Sequence, residues 1–511
     1  MSAFDVVVVG AGSNGLVAAG RLAKAGRQVL VVERAQAVGG RTRALAFAPG
    51  FSAAPFGLDP GWLSAEIASA LGLAGLHRVH PRVALTVVEG PGAAMPVLRE
   101  AIASRSPADA ARWEEFSASI HNLAGFLEVL YRSPAPDVDI GGIGDLLQLL
   151  SLGRRFRALG KRDMIEFLRT LPMSVQELLD DRFTCTPLKA AVATTGVLDL
   201  RQGPRSGATG FVFLHHLVGA QRDAMRGRGS WSAGPAAFAS TALDSAKRLG
   251  VTVRTNAEVA RLEVRDDAVT GVVLGNGEEI ATRSVLSTAD PATTLLGWVD
   301  PVWLDPEFVR AVGNIRHRGC TSFVLYGLAA LPELPGLDGV VSLTPDLLTL
   351  ERAADSAKYG RIPDRPHVEL TAPSLTFPAL APGGKHVLVA RVQYAPHRLR
   401  DGGVWDDARR DALAETVTTT IAGVAPGFRS RVLHRATFSP PDLEREFALV
   451  EGSPSCGELA LDQILFMRPV AGWGRYATPI EGLYLGGSGT HPGPGILGGS
   501  GWLAAGRMLA R

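Results

Sequence analysis

Gly10, Gly12 and Gly15 stand at the spacing G-x-G-x-x-G, and a carboxylate, Glu33, follows the last of them by 18 positions. Each residue type answers a separate physical need. Gly10 permits a tight turn, Gly12 lets a pyrophosphate approach the backbone, and Gly15 lets a helix pack closely on the preceding strand. A carboxylate at the distance of Glu33 accepts hydrogen bonds from a ribose 2′-hydroxyl. Together these residues would hold a dinucleotide. A glycine-rich turn without a ligand is the bland alternative, and the flanking elements decide between the two.

Those elements agree with the first reading. Phe4 to Val9 is an apolar run that reads as a strand buried on both faces. Leu16 to Ala25 carries a helical pattern and stops at Gly26, a residue suited to the position just past a helix. Gln28 to Val32 reads as a second strand and delivers Glu33. The N-terminus of that helix would offer free N–H groups and a partial positive charge to phosphates.

Downstream residues bear on which dinucleotide it is. Glu33-Arg34 leads into Val38-Gly39-Gly40-Arg41-Thr42, a glycine pair ending in a cation. Paired glycines expose backbone N–H groups, and Arg41 suits bidentate contact with a phosphate. An NAD domain needs no second cradle, whereas FAD, buried along its length, is helped by one. The charge of Glu33 would repel the 2′-phosphate of NADP. This stretch taken alone could also be a surface turn with a solvated arginine.

A second anion site is expected at the other end of the chain. Gly482 to Leu485 reads as a short strand, and Gly486-Gly487-Ser488-Gly489-Thr490-His491-Pro492-Gly493-Pro494-Gly495-Ile496 follows it. Leu497 to Leu509 is then helical. A strand, a glycine loop and a helix start again suit phosphate. Two such loops at opposite ends of one chain fit a single long cofactor better than two short ones, unless the second is only a Gly-Pro loop.

Between these ends, Phe51 to Trp62 reads as a loop and Leu63 to Leu73 as a helix. Residues 107–217 are mainly helical in pattern. Phe238 to Leu249 is a helix closed by Gly250, and Val251 to Arg254 a strand. Glu258 to Val264 and Val269 to Leu274 pair around Asp266-Asp267, with a hairpin signal at Asn276-Gly277. Ser284 to Ser287 is another strand, and these strands are expected to complete the first sheet. Further strands fall at Thr321 to Leu328, His367 to Thr371 and His386 to Gln393, with a helix at Asp406 to Ala422. The organisation expected is an α/β protein with a discontinuous Rossmann-type domain in three parts, 1–75, 229–300 and 455–511. A helical part, 76–228, and a sheet part, 301–454, would make the substrate domain.

Composition narrows the classes. At 511 residues there is room for two or three domains. A net charge of +2 points to no nucleic-acid partner. The three cysteines, Cys185, Cys320 and Cys456, are far apart, which fits a reducing compartment and argues against thiol–disulfide exchange. No basic leader precedes Val6 and no 18-residue uncharged apolar run occurs, so a cytoplasmic protein is expected. Peripheral membrane contact stays open because of Ile143 to Arg169, where Leu146, Leu147, Leu149, Leu150, Leu152, Phe156 and Leu159 accompany Arg154, Arg155, Arg157, Lys161 and Arg162. Such a segment suits a membrane surface, or a helix with one core face and one solvated face. No G-x-S-x-G elbow, HExxH, Cys/His ligand spacing or Walker A loop is present.

Val6 to Arg43, Asn256 to Pro291, Asp442 to Phe447 with Gly457 to Pro469, and Thr478 to Gly495 resemble the phytoene-desaturase-like FAD oxidoreductases. The likeness is greatest to the branch of pyridine nucleotide-disulfide oxidoreductase domain-containing protein 2, and its most specific part is Thr478 to Leu485 with His491-Pro492-Gly493. The segment Gly210 to Gly219, with His215-His216, is similar to that branch as well. The resemblance implies an FAD oxidoreductase of the phytoene-desaturase and amine-oxidase fold. FAD would be held by Gly10, Gly12, Gly15, Glu33, Gly40, Arg41, the backbone at Val259 and the turn at Gly487-Ser488. Ser13, Asn14, Arg34, Thr42 and Ile496 complete that contact set. One departure stands out: Gly234-Pro235-Ala236-Ala237-Phe238 lies where the family often has Gly-Gly-Met-Gly.

In that family the flavin accepts hydride from a substrate C–H bond, a proton leaves the neighbouring carbon, and the protein supplies orientation and a dry pocket. His491 is a candidate for moving a proton if its loop packs near the flavin. His215 and His216 are adjacent, so they cannot share one face of an element, and one of them could reach the pocket. Each histidine has an equally simple structural role open to it. Trp502 is either a floor for the substrate or a packed terminal-helix aromatic. Three functions remain in view. The first is dehydrogenation of a largely apolar small molecule, with oxygen or a quinone as electron acceptor. The second is an amine- or alcohol-type oxidase, and the third a redox-neutral isomerase or non-catalytic FAD protein.

Overall fold

The structure, a computed structural model, describes residues 4–510 apart from 58, 74, 137–142 and 401. The last stretch but one falls inside the helical reading of 107–217, so that part of the reading lies outside the described residues.

Val6–Val9 and Val29–Val32 are valine- and leucine-rich and buried at every position. They pair in parallel, with Val8 beside Val31. Parallel neighbours need a crossover, and Ser13–Lys24 supplies it as a helix. Thr252–Arg254 extends the sheet beyond Val29–Val32, while Val285–Ser287 and Leu483–Leu485 extend it on the other side. Because the side-chain period of a strand is two, Val6 and Val8 face one layer and Val7 and Val9 the other. The first layer is helical, from Ser13–Lys24, Ala237–Arg248 and Gly499–Leu509. The second is built on Val259–Arg265, Ala268–Leu274 and Glu279–Ala281. These three strands do not continue the parallel sheet, contrary to the expectation from sequence. Short turns join them, which forces antiparallel pairing, and they lie over the sheet as a separate meander.

A second, seven-stranded sheet runs in the order Val432–Phe438, Thr321–Leu328, His386–Gln393, His367–Thr371, Val340–Ser342, Leu85–Gly90, Ala93–Pro96. Its last two strands come from the part expected to be helical. Leu85, Val87 and Val88 carry the β pattern, and Gly92 turns the hairpin at φ +69°. Likewise the segment read as a loop from Phe51 opens with a strand, Phe51–Ala53, paired with Leu45–Ala48. One face of the large sheet, with Val324, Val368, Leu370, Leu388, Ala390 and Val392, packs on Asp407–Val424. The helices of 107–217, led by Pro107–Tyr131, form the largest apolar core with Leu85 and Val87. Among the described residues no helix is long and apolar enough to cross a membrane.

Arg468 ties the C-terminal part together. It is 3% exposed and donates to the carbonyls of Ser455 (2.6 Å), Cys456 (2.8 Å), Gly457 (3.2 Å), Gln463 (3.2 Å) and Ser488 (2.8 Å). Burial draws its pKa down to about 10, and the carbonyl acceptors keep the cation hydrogen-bonded. Arg468→Met strips several buried carbonyls of their donor at once. The expected loss is at least ~3 kcal/mol of unfolding free energy, read by urea denaturation; a change below ~1 kcal/mol would show that water replaces the guanidinium.

Candidate active site

The loops leaving Val9 and Val32 form one wall of a cavity of about 630 Å³. Gly10 adopts φ +97°, and a Cβ there would stand 2.5 Å from Thr288 Oγ1. A Cβ on Gly15 would stand 1.8 Å from the Gly10 carbonyl oxygen, so turn and helix meet only because neither carries a side chain. Gly12 differs. Its φ of −76° suits any residue, and the nearest neighbour of a Cβ would be Gly40 Cα at 4.0 Å. Its missing side chain leaves room at the cavity rather than relieving a clash.

Gly12 is the N-cap of the helix Ser13–Lys24, which has no side-chain cap and no acidic residue in its first turn. Donors of that kind, beside Ser13 and Asn14 on the cavity wall, suit the pyrophosphate of a dinucleotide. Glu33 also lines the cavity. Its Oε2 accepts from the Ala11 N–H at 2.7 Å and its Oε1 from the Ala35 N–H at 2.9 Å, which braces the glycine turn. A carboxylate has about four acceptor sites, so capacity for ribose hydroxyls remains.

Arg34, Gly40, Arg41 and Thr42 line the same wall. The Gly39 N–H donates to the Ala11 carbonyl at 2.9 Å and joins the two glycine segments. Arg41 donates to the Pro454 carbonyl, and Arg34 to the Arg445 carbonyl at 2.7 Å. Val259 lines the cavity from the start of the meander, and Ser488 from the C-terminal loop. Asn14 Nδ2 donates to Ser488 Oγ at 3.4 Å, so the two ends of the chain meet here. Gly15, Gly487 and Ile496 lie behind the lining. Gly487 packs on the Thr288 carbonyl, and Ile496 sits in a segment stitched to Trp62 by backbone hydrogen bonds of 2.8 and 2.7 Å.

The histidines divide. His491 and His215 are buried and lie outside the cavity lining. His215 accepts from the Tyr131 hydroxyl at Nδ1 (2.8 Å) and donates from Nε2 to the Pro494 carbonyl (2.8 Å), a brace between the helices and the C-terminal loop. His491 Nε2 donates to the Ser133 carbonyl at 3.1 Å. Burial lowers the pKa of His215 to about 3 and of His491 to about 4, so both are neutral at neutral pH. His216 is the member of the pair that lines the cavity. Trp502 is held by Glu66, which accepts from its Nε1 at 3.1 Å, and by Arg21 over its ring, away from the cavity lining.

The opposite wall is one face of the seven-stranded sheet. Phe323, Val389, Arg391, Glu369, Thr371 and Val340 all line it, and cross-strand register sets Phe323 beside Arg391 and Arg391 beside Glu369. Arg226 pairs with Glu369, and Arg391 with Asp199. Burial raises the Glu369 carboxyl, but Arg226, His367 and Arg391 outweigh it and hold the pKa at about 2. Phe56 meets Phe323 edge-on at 5.0 Å and closes the apolar side. Sequence reasoning passed over this wall. Its signal was the alternation of His367, Glu369 and Thr371 with apolar residues in His367–Thr371, and the charge of Arg391 within the apolar run of His386–Gln393.

A parallel sheet with a glycine turn, a second glycine pair and a C-terminal glycine loop around one cavity defines a dinucleotide-binding protein. The model of the FAD binding domain family matches residues 5–293, and the chain belongs to that family; its cofactor is FAD. Pyridine nucleotide-disulfide oxidoreductase domain-containing protein 2 of Mus musculus is 31% identical over 98% of this chain and 92% of its own length. A lycopene-forming phytoene desaturase of Pseudescherichia vulneris is 28% identical over 49% of each chain. Putrescine oxidase solved with putrescine bound shares the fold at a TM-score of 0.60 and 16% identity, with 99% of both chains covered. The protein is an FAD-dependent oxidoreductase.

Two outcomes separate the roles of the residues. Gly12→Ala is expected to cut the FAD retained on purification at least ~10-fold while shifting apoprotein stability by under ~0.5 kcal/mol. Gly15→Ala should instead destabilise the apoprotein by ~1–3 kcal/mol, through the clash with the Gly10 carbonyl. Unfolded histidine titrates near 6.5, so the unfolded chain binds protons at His491 and His215 that the folded chain refuses. Stability should therefore fall as pH drops from 6.5 towards 4, and His491→Asn should flatten that fall in a melting profile. Identical acid profiles for the two proteins would exclude His491 as a contributor.

Proposed function

We propose that the protein removes hydride from a largely apolar small molecule held between the FAD cradle and the seven-stranded sheet, and passes the electrons to oxygen or a quinone. The observation that carries this reading is one cavity whose lining includes both Gly10, Gly12 and Arg41 and the apolar Phe56, Phe323 and Val389. FAD bound there supplies the two-electron acceptor for a dehydrogenation. The chain supplies shape and exclusion of water. Phe56, Phe323, Leu337, Val340 and Val389 offer an apolar wall, where each buried methylene of a ligand contributes about 0.8 kcal/mol. The relative from Pseudescherichia vulneris is, by its name, a lycopene-forming phytoene desaturase, which supports the dehydrogenation reading.

An amine- or alcohol-type oxidase is the second reading, favoured by the carboxylates of Glu369 and Asp199 on the cavity wall. Each is already paired with an arginine, so neither offers an ammonium substrate an uncompensated negative charge. A redox-neutral isomerase is the third. We place the protein in the cytoplasm. Exposed Leu146, Leu147 and Leu150 beside Arg154, Arg155 and Arg157 suit contact with a membrane surface.

Stopped-flow absorbance tests the electron path. Anaerobic holoprotein mixed with NADH or NADPH should stay yellow, and dithionite-reduced holoprotein should regain colour on adding oxygen or menadione. Rapid bleaching by either nicotinamide would overturn the proposed acceptor.

A further inference from the structure

Three nitrogen-bearing side chains of the cavity lining, Arg391 from the sheet and Arg226 and His216 from the segment before it, are left short of partners. Arg226 is 7% exposed and gives Nη2 to Glu369 Oε2, while its Nη1 has no hydrogen-bond acceptor among the described residues. Arg391 gives Nη2 to Asp199 Oδ1, its Nε has no acceptor among those residues, and its guanidinium lies 5.4 Å over the Phe323 ring. His216 Nε2 is the third such atom. Burial, with His215, Arg228 and Arg226 nearby, holds that imidazole neutral, so Nε2 can carry a proton and donate. All three side chains line the one cavity.

The acceptor side is better satisfied. Glu369 Oε1 lacks a hydrogen bond, but His367 Nε2 stands 3.4 Å from it. Asp199 Oδ1 accepts from Thr321 Oγ1 at 2.8 Å besides Arg391. The wall therefore has donors in excess of acceptors. Buried polar groups in proteins are almost always paired, and a cluster of unpaired ones marks a place where something outside the chain completes the set. Guanidinium groups prefer a planar pair of oxygens, and Phe323, Val389 and Val340 lie alongside to take an apolar body.

We propose that Arg226, Arg391 and His216 form a subsite for a carboxylate at one end of an otherwise apolar substrate. The inference rests on the oxidoreductase reading above and names the substrate class of the same cavity. With the ion pairs to Glu369 and Asp199 kept, a small rotation of each guanidinium brings its unpaired N–H, buried in the unliganded arrangement, to the substrate oxygens. His216 adds a neutral donor. The carboxylate end is thereby fixed on the sheet, and the apolar remainder extends from it along Phe323.

Oxidised holoprotein is titrated with octanoate, octanol and octylamine, and binding is read by calorimetry and by the visible flavin spectrum. Octanoate should bind at least tenfold more tightly than octanol. That advantage should vanish in Arg226→Met/Glu369→Gln and in Arg391→Met/Asp199→Asn, each of which removes a pair together and leaves no lone buried charge. Octanol affinity and bound FAD should not change in either. Octanoate no tighter than octanol, octylamine tightest of the three, or an octanoate advantage that survives both double substitutions would overturn the subsite. Should either double variant fail to fold, His216→Leu is expected to weaken octanoate about threefold against octanol, and no change there would count against it. No turnover is involved, so the result stands apart from the nicotinamide test of the electron path.

Discussion

A Cβ on Gly501 would stand 2.0 Å from the Asn14 carbonyl oxygen, and one on Gly498 would stand 2.4 Å from Val17 Cγ2. The last helix therefore rides directly on the start of the first, at a separation that only glycine allows. That approach sets much else. It brings Ser488 to Asn14, seats Leu483–Leu485 at the edge of the parallel sheet, and places the C-terminal loop where the first glycine turn opens. Arg468 and His215 then hold the loop from behind, one through backbone carbonyls and the other through the Pro494 carbonyl and Tyr131. The glycine-lined part of the cavity is a property of this junction, since neither end of the chain makes it alone.

The second sheet works differently on its two faces. Val324, Val368, Leu388 and Val392 turn to a dry core against Asp407–Val424, where apolar burial stabilises the domain. The alternate residues turn to the cavity and include Phe323, Glu369 and Arg391. Charges on that face are tolerated because they come in pairs, Glu369 with Arg226 and Arg391 with Asp199. A buried ion pair of this sort adds little net stability, and removing one member is costly. Its presence in a cavity wall is better explained by what the cavity must hold than by the fold.

Local pattern made much of the fold legible. The βαβ unit from Val6 to Val32, the helix Ala237–Arg248 and the strands Thr321–Leu328, His367–Thr371 and His386–Gln393 follow from periodicity and punctuation by glycine. Leu85–Gly90 was obscured by lying among helical segments, and the strand Phe51–Ala53 by a surrounding run of Ala, Pro and Gly. The strands at 259–281 were legible as strands but not as a separate layer. Which sheet a strand joins depends on long-range pairing, which leaves no local mark.

For the site the division is sharper. Gly10, Gly12, Gly15, Glu33, Gly40 and Arg41 announce a dinucleotide because phosphate recognition by backbone N–H groups demands glycine at set intervals within a few turns of chain. His216 rather than His215, and neither His491 nor Trp502, faces the cavity, a choice set by how the helix Thr209–Leu217 packs on Pro107–Tyr131 and on the C-terminal loop. The sequence by itself determined the cofactor class and the strand–turn–helix unit that receives it, since those contacts are local. Only the tertiary structure decided which residues share the cavity with the glycine turn: Arg226, Phe323, Glu369 and Arg391 are scattered over more than 160 positions, and strand pairing in the second sheet, with the ion pair of Arg226 and Glu369, makes them neighbours.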